Sequence, residues 1–118
     1  MSQHILLIED EALIRRELGH TLRKQGYRVT EAADGVEAVA HLTQQPFDLI
    51  ISDFMTPNLH GYSLVDLIQL KWNTPIIVIS GYLPENAGRT HLRGVADFIP
   101  KPIDSEIMLA SVRRSIRS

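Results

Sequence analysis

Cysteine is absent from the 118 residues, which excludes disulfides, thiolate catalysis and cysteine-ligated metal centres. Neither sign of charge is in excess. The 12 basic and 14 acidic side chains leave a net charge of -2, so direct nucleic-acid binding through a basic surface is not expected. No apolar run approaches the roughly 20 residues that span a bilayer. Met1-Ser2-Gln3-His4 carries no basic region ahead of the short run Ile5-Leu6-Leu7-Ile8, so no secretory signal is expected either, and the expected setting is the cytoplasm without membrane contact. That first run is followed by Glu9-Asp10, not by G-x-G-x-x-G, and two carboxylates would oppose a phosphate where a dinucleotide-binding protein cradles one. There is also no tandem repeat, low-complexity tract or linker. A chain of this length is the usual size of one domain, so one domain over 1–118 with a single site is expected.

What is present is an alternation of apolar runs and amphipathic segments. Apolar residues make up 44% and charged residues 22%, an ordinary globular balance. The continuous runs 5–8, 47–52 and 76–79 fit strands covered on both faces. The β-prone stretch 27–31 predicts a shorter, less buried strand, and 95–99 a fifth. Between them, 11–25 carries Ile14, Leu18 and Leu22 at helical spacing, with Arg23 and Lys24 near its end and Gly26 as its C-cap. Asp34 with Glu37 three residues on marks the start of a helix bearing Val36, Val39, Ala40 and Leu42 and stopped by Pro46. Further helices are predicted over 61–70, with Leu64, Val65 and Ile68 on one face, and over 104–117, with Leu109, Val112 and Ile116 inward. A short helix of low local stability is predicted over 84–93, where Asn86, Gly88 and Gly94 dilute the signal. Strands alternating with helices predict an α/β fold, a five-stranded parallel sheet with five helices on its two faces.

In such sheets the ligand crevice lies beyond the C-terminal ends of the strands. Glu9, Asp10, Asp53, Ser80 and Lys101 all fall at those ends, on four different strands. Each alone has an ordinary alternative: Glu9 and Asp10 could cap the following helix, and Lys101 could be a solvated charge. Together they make an inventory. Three converging carboxylates repel one another unless a cation intervenes, and oxygen-only ligands select magnesium or a relative over zinc. A carboxylate nucleophile, a hydroxyl and an ammonium are what phosphoryl transfer asks for, since it needs mainly positioning and charge neutralisation.

At these residues the chain resembles the receiver domain of two-component response regulators over essentially its whole length. The matching features are Glu9-Asp10, then Asp53 with Pro57 and Gly61 beyond it, then Ser80-Gly81, then Phe98 three residues before Lys101-Pro102. The resemblance implies the flavodoxin-like doubly wound sheet with strand order 2-1-3-4-5. It implies that Asp53 takes a phosphoryl group from a phosphohistidine on a histidine kinase or histidine phosphotransfer protein. Magnesium, or manganese, would be bound by Asp10, Asp53 and the Met55 backbone carbonyl, with Glu9 acting mainly through water. Lys101 would pair with the phosphoryl group, Ser80 and Phe98 would be the switch residues, and Lys101-Pro102 would be cis. The output would pass over the surface of residues 80–102 to a partner or effector domain, with phosphorylation-dependent dimerisation among the outcomes the resemblance allows. The domain would be a signalling phosphoacceptor that catalyses only its own phosphorylation and dephosphorylation.

Met55 and Tyr82 stand where the resemblance places side chains near the path of a hydrolytic water. Both are bulky, so slow hydrolysis of the aspartyl phosphate is expected; packing against the neighbouring segment is the ordinary alternative. Phe98 lacks the hydroxyl of a tyrosine, so packing alone would separate its two rotamers. His60, His4, His20, His41 and His91 have no ligand-like spacing, and the lone Trp72 is weak evidence of a contact surface. Two other classes remain open. A degenerate receiver would signal without phosphate, though Asp10, Asp53, Ser80 and Lys101 are all present. A magnesium-dependent aspartate phosphatase would carry a second acid near its nucleophile, where this chain has Ile51 and Met55.

Overall fold

The computed structural model describes residues 2–53, 61–81 and 95–116. Their apolar runs form five parallel strands, β1 (His4–Ile8), β2 (Arg28–Ala32), β3 (Leu49–Asp53), β4 (Ile76–Ser80) and β5 (Val95–Pro100), in the order β2-β1-β3-β4-β5. Four helices are present among the described residues: α1 (Ala12–Lys24), α2 (Gly35–Gln44), α3 (Gly61–Lys71) and α4 (Ser105–Ser115). The expected fifth helix, over 84–93, lies outside them.

Side chains alternate across each strand, and the runs in β1, β3 and β4 are buried at every position. Leu6, Ile8, Ile50 and Val78 therefore pack on one face with Ala38 and Leu42 of α2 and Leu64 and Ile68 of α3. Ile5, Leu7, Ile51, Ile77 and Ile79 pack on the other with Leu18 and Leu22 of α1 and Met108 and Val112 of α4. β2 is at one edge of the sheet and is only partly buried, as its mixed composition predicts. From β1 the chain goes to β2 on one side and then crosses back to β3 on the other. The crevice of such a sheet opens where these directions diverge, past the ends of β1 and β3.

The helix ends follow local chemistry. Asp34 accepts from the Glu37 amide at 2.8 Å while the Glu37 carboxylate accepts from the Ala33 amide at 3.0 Å, a reciprocal cap on α2. Gly26, at φ 94°, turns the chain after α1, and Asn73, at φ 51°, does so after α3.

Three expected inward faces shift in phase. On α2, Val36 is 62% exposed and Ala40 also faces solvent, while Gly35, Ala38 and Leu42 turn inward with Val39 at the flank. On α4 the buried residues are Met108, Ser111 and Val112, with Leu109 and Ile116 only partly covered. Ile14 of α1 is likewise at the margin. Small residues sit closest to the sheet in α2 because they let the helix approach it, and a reading that follows bulky apolar side chains is drawn one position aside. Trp72, just past α3, packs partly buried against the core, with the Lys71 ammonium 5.7 Å from its ring centre.

Candidate functional site

Asp53 ends β3, Ser80 ends β4, Glu9 and Asp10 follow β1, and Lys101 follows β5. Parallel pairing brings these ends to one edge. Ile8 pairs with Ser52, Asp53 with Ile79, and Ser80 with Pro100, so each polar residue arrives at nearly the same height. The Lys101 amide donates to the Ser80 carbonyl at 2.9 Å, which fastens the residue carrying the ammonium to the end of β4. The Lys101–Pro102 peptide is cis.

The side chains then meet. Lys101 Nζ lies 2.9 Å from Asp53 Oδ2 and 2.8 Å from Glu9 Oε1. Glu9 has no solvent exposure and Asp53 is 7% exposed. Glu9 Oε2 accepts from the Glu11 amide at 3.0 Å, so part of its role is the helix capping that was the ordinary alternative. Asp10 is exposed, and carboxylate oxygens of Glu9, Asp10 and Asp53 all lie within 4.8 Å of one another. At that spacing each ionised pair repels by roughly 3–4 kcal/mol at an effective dielectric of about 20. One ammonium cannot balance three carboxylates.

Burial lifts the Glu9 carboxyl above its ordinary range; the Lys101 ammonium and the Glu11 amide pull it back, and Asp10 and Asp53 add to the lift. Burial by itself would lower the Lys101 ammonium, but its bonds to Glu9 and Asp53 outweigh that and hold it above its ordinary range. Glu9 Oε1 faces the Lys101 ammonium at 2.8 Å. A buried carboxylate beside two further carboxylates, with oxygen the only ligand type, fits a hard divalent cation.

Ser80 is buried at the same edge, 2% exposed. Phe98 pairs with Val78 two residues inside the end of β5 and is partly buried against the face that α2 and α3 cover. Its reading as partial strand core therefore holds. Met55 and Tyr82 lie outside the described residues, as does His60. His4 is structural: 7% exposed, its Nε2 is 2.7 Å from Thr30 Oγ1 and its ring is 4.5 Å from that of Phe47. One contact was not legible in the sequence. Arg15 Nη1 donates to the Glu9 carbonyl at 2.6 Å, and apolar periodicity gives no signal that separates Arg15 from Arg16. Among the described residues no helix is long and apolar enough to cross a membrane.

With this geometry in place, similarity to known proteins becomes informative. Residues 5–113 match the model of the response regulator receiver domain. The response regulator ArlR of Staphylococcus epidermidis is 35% identical over 117 residues, covering 97% of this chain and 52% of the relative. The CAI-1 autoinducer sensor kinase/phosphatase CqsS of Vibrio cholerae is 35% identical over 118 residues, covering 93% of this chain and 17% of the relative. The chain thus spans about half or less of these curated relatives. Among solved structures, the chemotaxis response regulator CheY4 of Vibrio cholerae superimposes with a TM-score of 0.88 at 31% identity, over 97% of this chain and 98% of that one.

Proposed function

The chain belongs to the response regulator receiver domain family of two-component signal transduction, and from that membership we propose that Asp53 accepts a phosphoryl group from a phosphohistidine on a partner histidine kinase or histidine phosphotransfer protein. The observation that carries this reading is the placement of one ammonium, Lys101 Nζ, within 2.9 Å of both Asp53 and Glu9 in the crevice at the strand ends. An ammonium held there by two carboxylates is charge stored beside the atom to be modified. A carboxylate oxygen of Asp53 attacks the phosphorus, the new P–O bond forms as the P–N bond breaks, and the electron pair leaves with the donor imidazole. Protonated at its other nitrogen, that imidazole departs neutral. The transition state asks for charge neutralisation on the equatorial oxygens. On this reading Lys101 pairs with one of them and the Ser80 hydroxyl donates to another.

Glu9, Asp10 and Asp53 would hold magnesium, or manganese, with the Met55 carbonyl as a further ligand outside the described residues. When bound, the ion neutralises charge on the phosphoryl oxygens. The message ends when water attacks the phosphorus, inorganic phosphate leaves and the Asp53 carboxylate is restored. Met55 and Tyr82 are the positions assigned to slowing that step. On this reading residues 1–118 are one receiver domain that catalyses only its own modification and passes the signal to a partner or effector domain through residues 80–102, with dimerisation one form the output can take.

The test is incubation with acetyl phosphate and magnesium followed by intact mass measurement. One phosphoryl adduct is expected on the wild type and none on Asp53→Asn. An unmodified wild type, under conditions that label a control receiver, would favour a phosphate-independent binding module on the same fold.

A further inference from the structure

Arg15 lies in the first turn of α1 and its side chain turns back to the acidic pocket. Besides donating to the Glu9 carbonyl at 2.6 Å, it sets Nε 3.5 Å from Glu31 Oε1 on β2. Glu31 is held from its other side by Arg23, whose Nη1 is 2.9 Å from Oε2 and whose Nη2 donates to the Val29 carbonyl at 3.0 Å. This chain of charges crosses α1 at Gly19. A Cβ there would come within 3.1 Å of both Arg23 Nη1 and Glu31 Oε2, so the helix is bare where the ion pair passes. Only 19% of the Arg15 side chain is exposed.

Glu9 stands one residue past the end of β1, where the last ladder bond holds its amide. Its amide is held by the Ala32 carbonyl at 3.0 Å, and its carboxylate by the Glu11 amide and Lys101. Arg15 supplies the grip on its carbonyl, and Glu31, at ion-pair distance, draws the guanidinium toward β2.

We propose that Arg15 is a positioning residue for the acidic pocket: through the Glu9 carbonyl it fixes the Glu9-Asp10 turn so that their carboxylates converge with Asp53 on a divalent cation. The inference rests on the magnesium-binding reading of the site. Its sign separates it from simple electrostatics. A guanidinium beside a cation site repels the cation, so by Coulomb's law alone its removal would tighten metal binding. Loss of positioning predicts weaker binding instead.

Magnesium affinity measured by titration calorimetry, together with amide hydrogen exchange of the metal-free protein, tests this on Arg15→Met and Arg15→Lys. Arg15→Met should bind magnesium about 10-fold more weakly, the size of effect seen when groups that orient metal ligands are removed. Its Glu11 amide should exchange faster while circular dichroism and the urea midpoint report an intact fold. Arg15→Lys, which keeps the charge but cannot span Glu9 and Glu31 with one planar fork, should fall between, and it carries the test if Arg15→Met does not fold. Equal or tighter magnesium binding, or unchanged Glu11 exchange, overturns the proposal. If the wild type binds no magnesium, the functional reading falls, and the exchange result alone then decides on Arg15.

Discussion

A carboxylate without solvent exposure, such as Glu9, is sustained by its partners, and each like charge beside it adds to the cost of keeping it ionised. Asp10 is such a neighbour, and its side chain, within hydrogen-bond reach of the Glu9 carboxyl, adds to the rise. Because Glu9 is raised from its ordinary value of 4.5, it contributes stability below that value and loses it as pH rises through the raised pKa. Asp10→Asn removes one cause of the rise, so the metal-free variant should melt a few °C higher near neutral pH, roughly 3–5 °C per kcal/mol for a domain of this size. Magnesium should reverse the ranking. At about 100 times its Kd a ligand stabilises by about 2.7 kcal/mol, and the variant should forgo most of that gain. Melting curves with and without magnesium check both arms. His4 gives the opposite pH dependence at the far end of β1. Burial lowers it from its ordinary 6.5, with Arg28 and His41 adding to the effect and Asp48 opposing it. The unfolded chain therefore takes up the proton first, so the contribution is complete above that ordinary value and is lost as pH falls through the lowered pKa. His4→Gln should flatten the fall in urea midpoint between about pH 7 and pH 5. The strand-end residues were legible because each follows an apolar run directly. His4 and Arg15 were not, since the His4 partners Thr30 and Asp48 lie 26 and 44 residues away and the Arg15 contact is with a backbone carbonyl.

At the scale of elements, helix starts are set by single side chains. The Asp104 carboxylate accepts from the Glu106 and Ile107 amides at 2.9 and 3.0 Å, taking two donors that α4 cannot pair internally. Asp104→Ala should cost about 1 kcal/mol in urea unfolding while leaving the strand-end geometry alone. An unchanged midpoint would mean that the cap is replaced by water at no loss. Such starts were legible in sequence, as at Asp34, because the capping residue and its acidic partner sit at a fixed spacing. Strands were legible for a different reason: β1, β3 and β4 are covered on both faces, so their side chains form unbroken apolar runs. Helix phase was the part that local pattern misjudged. Which arc of α2 or α4 faces inward is decided by the sheet it lands on, and close approach favours the small residues Gly35, Ala38 and Ser111, which give little or no apolar signal.

Across the whole molecule, the site is built from strands paired side by side in one half of the sheet. Asp53 ends β3, its partner Lys101 is clipped by its own amide to the Ser80 carbonyl at the end of β4, and β5 lies at the edge of the sheet with β4 its one neighbouring strand. A phosphoryl group on Asp53 would turn its carboxylate into an acyl phosphate and add acceptor oxygens that compete with Glu9 for the ammonium. Any displacement of Lys101 is delivered to Ser80 through the main chain, whereas a displacement of the Ser80 hydroxyl needs the side chain. The two routes can therefore be told apart. Beryllofluoride with magnesium should shift the amide signals of Ser80, Phe98 and Lys101 in the wild type and none of them in Asp53→Asn. In Ser80→Ala the clip survives and the hydroxyl does not, so the Lys101 shift should persist while the Phe98 shift falls toward the unliganded value. A Phe98 shift of full size in Ser80→Ala would place the coupling in the Lys101 backbone instead, and would remove Ser80 from the path between Asp53 and β5.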